Sequence, residues 1–162
     1  MIELRKITDE NFEECIGLDL TQAQWQYLAN NAYSLSEAYA LQNDGNKIPM
    51  PYVIYHNDVM VGFTMAVYRP IDQNDPGDDE NNFYISRLMI DQRYQGNGYG
   101  KQALVKFIEI MKTLPYGEAD SIILSCAKEN TIAYRLYESL GFVDTGEIDE
   151  DGDCYMRLNL KP

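Results

Sequence analysis

The sequence predicts an α/β (α+β) fold, a mixed and mostly antiparallel sheet flanked by helices. Three observations predict it. Runs rich in β-branched and aromatic residues alternate with runs of helical period. Two pairs of strands are joined by short polar turns and read as antiparallel hairpins. One strand passes through a glycine turn directly into an amphipathic helix.

Ile2 to Lys6 reads as the first strand and residues 9–18 as a short helix. Thr21-x-x-Gln24 has capping-box spacing ahead of Trp25, Leu28, Ala29 and Ala32, and Ser34-x-x-Glu37 repeats it ahead of Ala38 and Leu41. Helical turns therefore run to about Gln42, and Asn43 to Asn46 is a loop. Tyr52 to Tyr55 and Val59 to Tyr68 form a hairpin, with Gly62 at a bulge. Arg69 to Asn82 is a polar insertion holding Asp72, Asp75, Asp78, Asp79 and Glu80; it is either a mobile surface loop or a substrate entry. Phe83 to Ile90 is a buried strand, followed by a turn with Gly96, Gly98 and Gly100. Ala103, Leu104, Phe107, Ile108 and Met111 then form one helix face, with Lys101, Lys106, Glu109 and Lys112 on the other. Ser121 to Cys126 is another buried strand. A helix from Asn130 turns Ala133, Leu136, Tyr137 and Leu140 inward and stops at Gly141. Phe142 to Ile148 and Cys154 to Leu160 make the second hairpin around Asp149 to Gly152. Asp149-x-Asp151-x-Asp153 starts like an EF-hand but lacks the sixth-position glycine and twelfth-position glutamate, so it reads as a turn.

Composition narrows the function. A chain of 162 residues with 45% apolar and 12% aromatic content is expected to form a single domain over 1–162 with a sizeable core. Met1 to Arg5 has no apolar signal core and no run reaches membrane-helix length, so a soluble, cytoplasmic protein is expected. The net charge of −13 repels nucleic acid and anionic membranes and attracts cations. Cys15, Cys126 and Cys154 share no C-x-x-C spacing, against a disulfide scaffold or zinc site; no metal is expected. Cys126 ends an apolar strand, where a thiol is either a small core group or an acyl carrier. His56, the single histidine, sits beside a turn at Asn57-Asp58, so Ser-His or Cys-His catalysis has little material.

The strand, glycine turn and helix place backbone N–H groups at a helix N-terminus, a ready anion site that glycine lets a phosphate approach. Gly100-Lys101-Gln102 lacks the hydroxyl of a Walker loop, and no strand end with an acidic residue follows as a dinucleotide fold requires. A pyrophosphate cradle in mid-chain remains, against a turn that only joins strand to helix.

Gln95-x-x-Gly98-x-Gly100 and, farther on, Asn130-x-x-Ala133-x-x-x-Tyr137-Glu138-x-x-Gly141-Phe142 together resemble the two core motifs of the GCN5-related N-acetyltransferases (GNAT), over at least residues 52–145. The resemblance implies a GNAT fold with its sheet splayed at the central strand, and acetyl-CoA as cosubstrate. It implies that backbone N–H groups across Gln95, Gly96, Asn97, Gly98, Tyr99, Gly100 and Lys101 hold the pyrophosphate. Leu88, Met89 and Ile90 would pair with the pantetheine arm, a Leu88 N–H would face the thioester oxygen, and Asn130 would contact the coenzyme. Arg135 or Lys101 either reaches phosphate or is a solvated surface residue. Tyr137 matches the family's general acid toward the coenzyme A sulfur.

Many relatives carry a carboxylate two residues before the position of Leu88, where this chain has Ser86. Serine cannot take a proton from an ammonium, so the base is not assigned. Tyr84, on the same strand face, and Glu80, just before the strand, are the neighbouring substrate-side candidates with Ser86. Leu18-Asp19-Leu20-Thr21-Gln22-x-Gln24, Ile90-Asp91-x-Arg93-Tyr94-Gln95-Gly96 and the acidic balance are similar to bacterial spermine/spermidine (diamine) N-acetyltransferases of the BltD type. That likeness implies a small cationic amine as acceptor, a polyamine such as spermidine or spermine, direct attack in a ternary complex, and a homodimer. An acetyltransferase for protein N-termini or lysines, and a non-catalytic acyl-CoA sensor, are the alternatives.

Overall fold

Apolar alternation and turn chemistry lay out the sheet. The computed structural model describes residues 1–161, and among them seven strands form one sheet. These are β1 (Ile2–Lys6), β2 (Ile48–His56), β3 (Val59–Arg69), β4 (Asn82–Ile90), β5 (Ser121–Cys126), β6 (Val143–Ile148) and β7 (Cys154–Asn159). Their spatial order is β1-β2-β3-β4-β5-β7-β6, with β4 and β5 parallel and the other neighbours antiparallel. Helices α1 (Phe12–Gly17), α2 (Asn31–Asp44), α3 (Tyr99–Lys112) and α4 (Thr131–Ser139) cover it.

β1 and β5 keep the predicted bounds. β2 starts at Ile48 rather than Tyr52, through Pro49 and Pro51. β1 pairs with β2 only as far as Tyr52, so 48–51 has an open edge where a missing N–H breaks no ladder. The β2–β3 turn is Asn57-Asp58 with φ of 48° and 65°, the two-residue turn whose twist suits a hairpin.

The predicted helix starts need correction. Gln24 Oε1 accepts from the Thr21 N–H at 3.2 Å, half of the predicted box, but opens only a 3₁₀ turn, Gln24–Tyr27. α2 starts at Asn31, capped by Asn30, whose Oδ1 accepts from the Tyr33 N–H at 2.8 Å. Ser34 is therefore not a cap: it is buried in the first turn and accepts from Arg87 Nε at 2.9 Å. α2 runs on to Asp44 and ends at Gly45, whose φ of 84° closes the helix, so Asn43 and Asp44 are helical and not loop.

Two cores sandwich the sheet. α3 buries Ala103, Leu104, Phe107, Ile108 and Met111, the five predicted positions. Four of them, Leu104, Phe107, Ile108 and Met111, pack on Phe83, Ile85, Ile122 and Leu124. On the other face, Cys15 and Ala38 pack on Val53, Phe63, Met65 and Met89. Cys15, Cys126 and Cys154 are all buried as free thiols.

Gly62 lies where the β2–β3 register shifts opposite Ile54 and Tyr55, the predicted bulge. A Cβ there would collide with the Met89 carbonyl oxygen and lie 2.8 Å from Ile90 Cδ1, pressing on the end of β4. At Gly17 a Cβ meets nothing within 4 Å. Gly62→Ala should lose about 2 kcal/mol or more of unfolding free energy in urea titration, whereas Gly17→Ala should stay within about 1 kcal/mol of the parent.

Candidate active site

The site begins with a defect in a ladder. β3 and β4 lose register between Met65 and Ala66, which pair with Arg87 and Ile85 and leave Ser86 as the extra residue. Such a bulge bends a strand and increases its twist. Its polar groups are satisfied locally: the Arg87 carbonyl accepts from Thr64 Oγ1 at 2.8 Å, and the Ser86 carbonyl accepts from Arg87 Nη1 at 2.8 Å. β4 pairs with β5 only over Asn82–Ile85, so Ser86–Ile90 leaves its neighbour and the sheet forks.

The fork opens into a cleft of ≈ 860 Å³. It brings together Leu88, Met89, Ile90, Gln95, Gly96, Gly98, Tyr99, Gly100, Asn130 and Tyr137, with Tyr84 and Ser86 of the substrate-side candidates. Asn97 and Lys101 do not line it; Asn97 braces the turn by donating to the Tyr94 carbonyl at 2.9 Å. Arg135 is exposed and also off the lining. Glu80 lies elsewhere: Arg157 grips both its oxygens at 2.6 and 2.8 Å, and Ser121 Oγ donates to it at 3.1 Å. A carboxylate held by three donors is poorly placed to act as a base.

Gly96 and Gly98 have φ of 82° and 77°, which glycine adopts without strain. Gly98 caps α3, and Gln102 is the first residue whose N–H returns to it, at 3.2 Å, so the N–H groups just before have no intrahelical acceptor. The nearest protein atom to a Cβ at Gly98 would be 3.8 Å away, so protein packing does not demand the missing side chain. Asn130 caps α4, its Oδ1 accepting from the Ala133 N–H at 3.5 Å.

Tyr137 is half-buried on α4, edge-on to Phe142 with ring centroids 6.0 Å apart. Its hydroxyl has no hydrogen-bond partner among the described residues. Desolvation, with a smaller contribution from Cys126, pushes its pKa above the ordinary phenol value, so it keeps its proton through the neutral range. Tyr84 is different: its hydroxyl shares a 2.9 Å hydrogen bond with Ser125 Oγ, and Arg69 stacks 4.6 Å from its ring.

The segment around the 3₁₀ turn, Leu20 to Ala29, forms another wall, where the capping-box spacing predicts helical turns. Two pins hold it to the glycine turn. Buried Asp91 accepts from the Asp19 N–H at 2.9 Å, from the Arg93 N–H at 2.9 Å and from Arg93 Nε at 2.8 Å. The Gln24 and Gln95 amides bond each other at 3.0 Å, and Gln95 also donates to the Ile90 carbonyl at 2.9 Å.

The acids at the cleft are not the predicted ones. None of the five carboxylates of the 69–82 insertion lines it; Asp72, Asp75 and Asp78 accept N–H groups within their own loop. Glu129, Asp149, Asp151 and Asp153 line it instead, the last three at the β6–β7 turn. Because Cys126 pairs with Cys154, that turn stands at the open end of the fork.

Burial raises the Asp91 carboxyl, but the Arg93 side chain and the Arg93 and Asp19 N–H groups outweigh it, leaving the pKa below the ordinary range. A depressed folded pKa stabilises fully above the unfolded value, near pH 4, and that contribution fades as pH falls through the folded pKa. Asp91→Asn should therefore be less stable than the parent at pH 7, and the urea midpoints should converge as pH drops below about 4.

Comparison with known proteins agrees with this geometry. The model of the acetyltransferase (GNAT) family matches residues 6–142. The spermine/spermidine N(1)-acetyltransferase of Bacillus subtilis (strain 168) is 30% identical over 159 residues, covering 98% of this chain and 99% of that one. Among solved structures, spermidine N-acetyltransferase from Vibrio cholerae in complex with CoA and spermine superposes with a TM-score of 0.70 at 16% identity, covering 98% of this chain and 95% of that chain. An aminoglycoside acetyltransferase in complex with coenzyme A gives a TM-score of 0.74 at 17% identity, covering 98% and 95%. With its forked sheet, glycine turn and end-to-end relative, the chain belongs to the GNAT acetyltransferase family and is an N-acetyltransferase.

Proposed function

We propose that this protein transfers the acetyl group of acetyl-CoA to a primary amine of a polyamine such as spermidine or spermine, by direct attack in a ternary complex. The observation that carries this reading is one cleft lined by the glycine turn, the unzipped edge of β4, Tyr137 and four carboxylates. The whole-length likeness to a spermine/spermidine acetyltransferase supports the same acceptor. We further infer one acetyltransferase domain over 1–162 in the cytoplasm and, from the resemblance, a homodimer.

Acetyl-CoA supplies an activated acetyl thioester. Backbone N–H groups of the turn at Gln95, Gly96, Gly98, Tyr99 and Gly100 hold its pyrophosphate, with Gly96 and Gly98 leaving the backbone open. Leu88, Met89 and Ile90 offer strand-like pairing to an amide-bearing arm, although the Ile90 carbonyl already accepts from Gln95. A backbone N–H near Leu88 polarises the carbonyl, an effect worth about 3 kcal/mol. Tyr137 donates its proton to the leaving thiolate. The carboxylates at the open end draw in a polycation by several weak attractions, screened over about 8 Å at physiological salt.

Incubation with acetyl-CoA and a panel of polyamines, amino acids and peptides, following free thiol, tests the reading. Spermidine or spermine should give the highest kcat/KM, and their KM should rise with ionic strength. A neutral or singly charged amine outcompeting spermidine in a mixed assay would overturn the polyamine assignment. Gly98→Asp fills the cradle with a Cβ and a negative charge, so calorimetry should show acetyl-CoA affinity lost in a folded protein. Tyr137→Phe should lower kcat about 10²-fold with acetyl-CoA affinity nearly intact.

A further inference from the structure

An ammonium must shed a proton before its nitrogen can attack, and the cleft's central strand offers Ser86 where a carboxylate would serve. We propose that Asp153, at the β6–β7 turn, takes that proton from the acceptor amine. The inference rests on the acetyltransferase reading above and adds the residue that the reading leaves open.

Four carboxylates line the cleft, and their surroundings separate them. Asp149 Oδ1 is occupied, accepting from the Asp151 and Asp153 N–H groups at 2.9 Å each. Asp151 and Glu129 are exposed, so water solvates their charge. Asp153 is half-buried, and its carboxylate has no donor among the described residues. Several carboxylates elsewhere are engaged by cations: Glu80 by Arg157, Asp91 by Arg93, Asp120 by Lys161 and Asp144 by Lys128.

The backbone of Asp153 is fixed. Its carbonyl accepts from the Asp149 N–H at 2.8 Å while its own N–H donates to the Asp149 side chain, closing a ring two residues before Tyr155. Tyr155 pairs across the ladder with Ser125, the partner of Tyr84. The carboxylate thus stands beyond the Tyr84–Ser125 pair, toward the open end of the fork. Desolvation raises its pKa, and Asp149 and Asp151 of its own turn and Glu129 ahead of α4 raise it further. A carboxylate so raised is a better proton acceptor than a solvated one.

The protons balance. An ammonium N–H bond breaks and an O–H bond forms on Asp153, leaving the nitrogen lone pair free to form the N–C bond. The C–S bond then breaks and the Tyr137 proton goes to sulfur. The second nitrogen proton restores Tyr137 through water, and Asp153 releases its proton to solvent, one per turnover.

Asp153→Asn is measured with the best amine from the panel. At pH 7 its kcat should fall about 10²-fold, and log kcat should rise with pH where the parent has reached its plateau. An acceptor uncharged at pH 7, such as hydroxylamine, needs no deprotonation and should bring variant and parent within a few-fold of each other. Asp153→Glu should restore part of the loss. Asp151→Asn should raise KM yet shift the acid limb of the parent's kcat profile to lower pH, because it removes one of the charges that raise Asp153; this variant keeps the test open if Asp153→Asn misfolds. A parental kcat profile in Asp153→Asn, or an unmoved limb in Asp151→Asn, overturns the proposal. A parent protein that releases no thiol with any amine overturns the acetyltransferase reading instead.

Discussion

The Ser86–Arg87 bulge is the constraint on which the rest of the structure depends. An extra residue in β4 has to be accommodated, and the chain does so by satisfying the displaced polar groups nearby: Thr64 takes one carbonyl and Arg87 folds back on another. Arg87 is in turn held by Ser34 of α2, so the helix behind the sheet supports the distortion in front of it. Beyond this point β4 has left β5, and half of a central strand stands without a neighbour on one side. Unpaired backbone in the middle of a sheet is costly unless something takes up its hydrogen bonds, so the fork is already half a binding site.

The two walls of the cleft are mechanically joined. The glycine turn and the Leu20–Ala29 segment both line the cleft, and Asp91 and the Gln24–Gln95 pair tie one to the other. Displacement of either wall must break these bonds or carry the other wall along. Of the two pins, the amide pair is neutral and indifferent to pH and salt, whereas the Asp91 pin depends on a charge.

Local pattern made much of this legible. The α3 positions at helical spacing are the ones buried, β1 and β5 keep their predicted bounds, and the glycine turn and Tyr137 meet in one cleft because their motifs fix strand, turn and helix within short spans. Where reading failed, tertiary contacts decided. Ser34 has capping spacing but is recruited by Arg87, fifty-three residues away. β2 extends through Pro49 and Pro51, ahead of its predicted start at Tyr52, because an open edge tolerates the missing N–H groups. The insertion at 69–82 is rich in acids, but Asp72, Asp75 and Asp78 accept N–H groups of their own loop and Glu80 pairs with Arg157. Asp149, Asp151 and Asp153 looked like an ordinary turn because only the pairing of Cys126 with Cys154 brings that turn to the mouth of the fork.

The open edge of β4 also acts as a ruler. Ser86 to Ile90 spans about 16 Å at roughly 3.3 Å per residue, with the glycine turn at one end and the start of the fork at the other. Under the proposed function, a donor anchored by its phosphates must carry an arm of that length, with amides along it, to bring its reactive end to the fork. The protein then selects its donor by the carrier more than by the two-carbon group delivered. Short thioesters of the same acyl group would fit the chemistry and miss the measure.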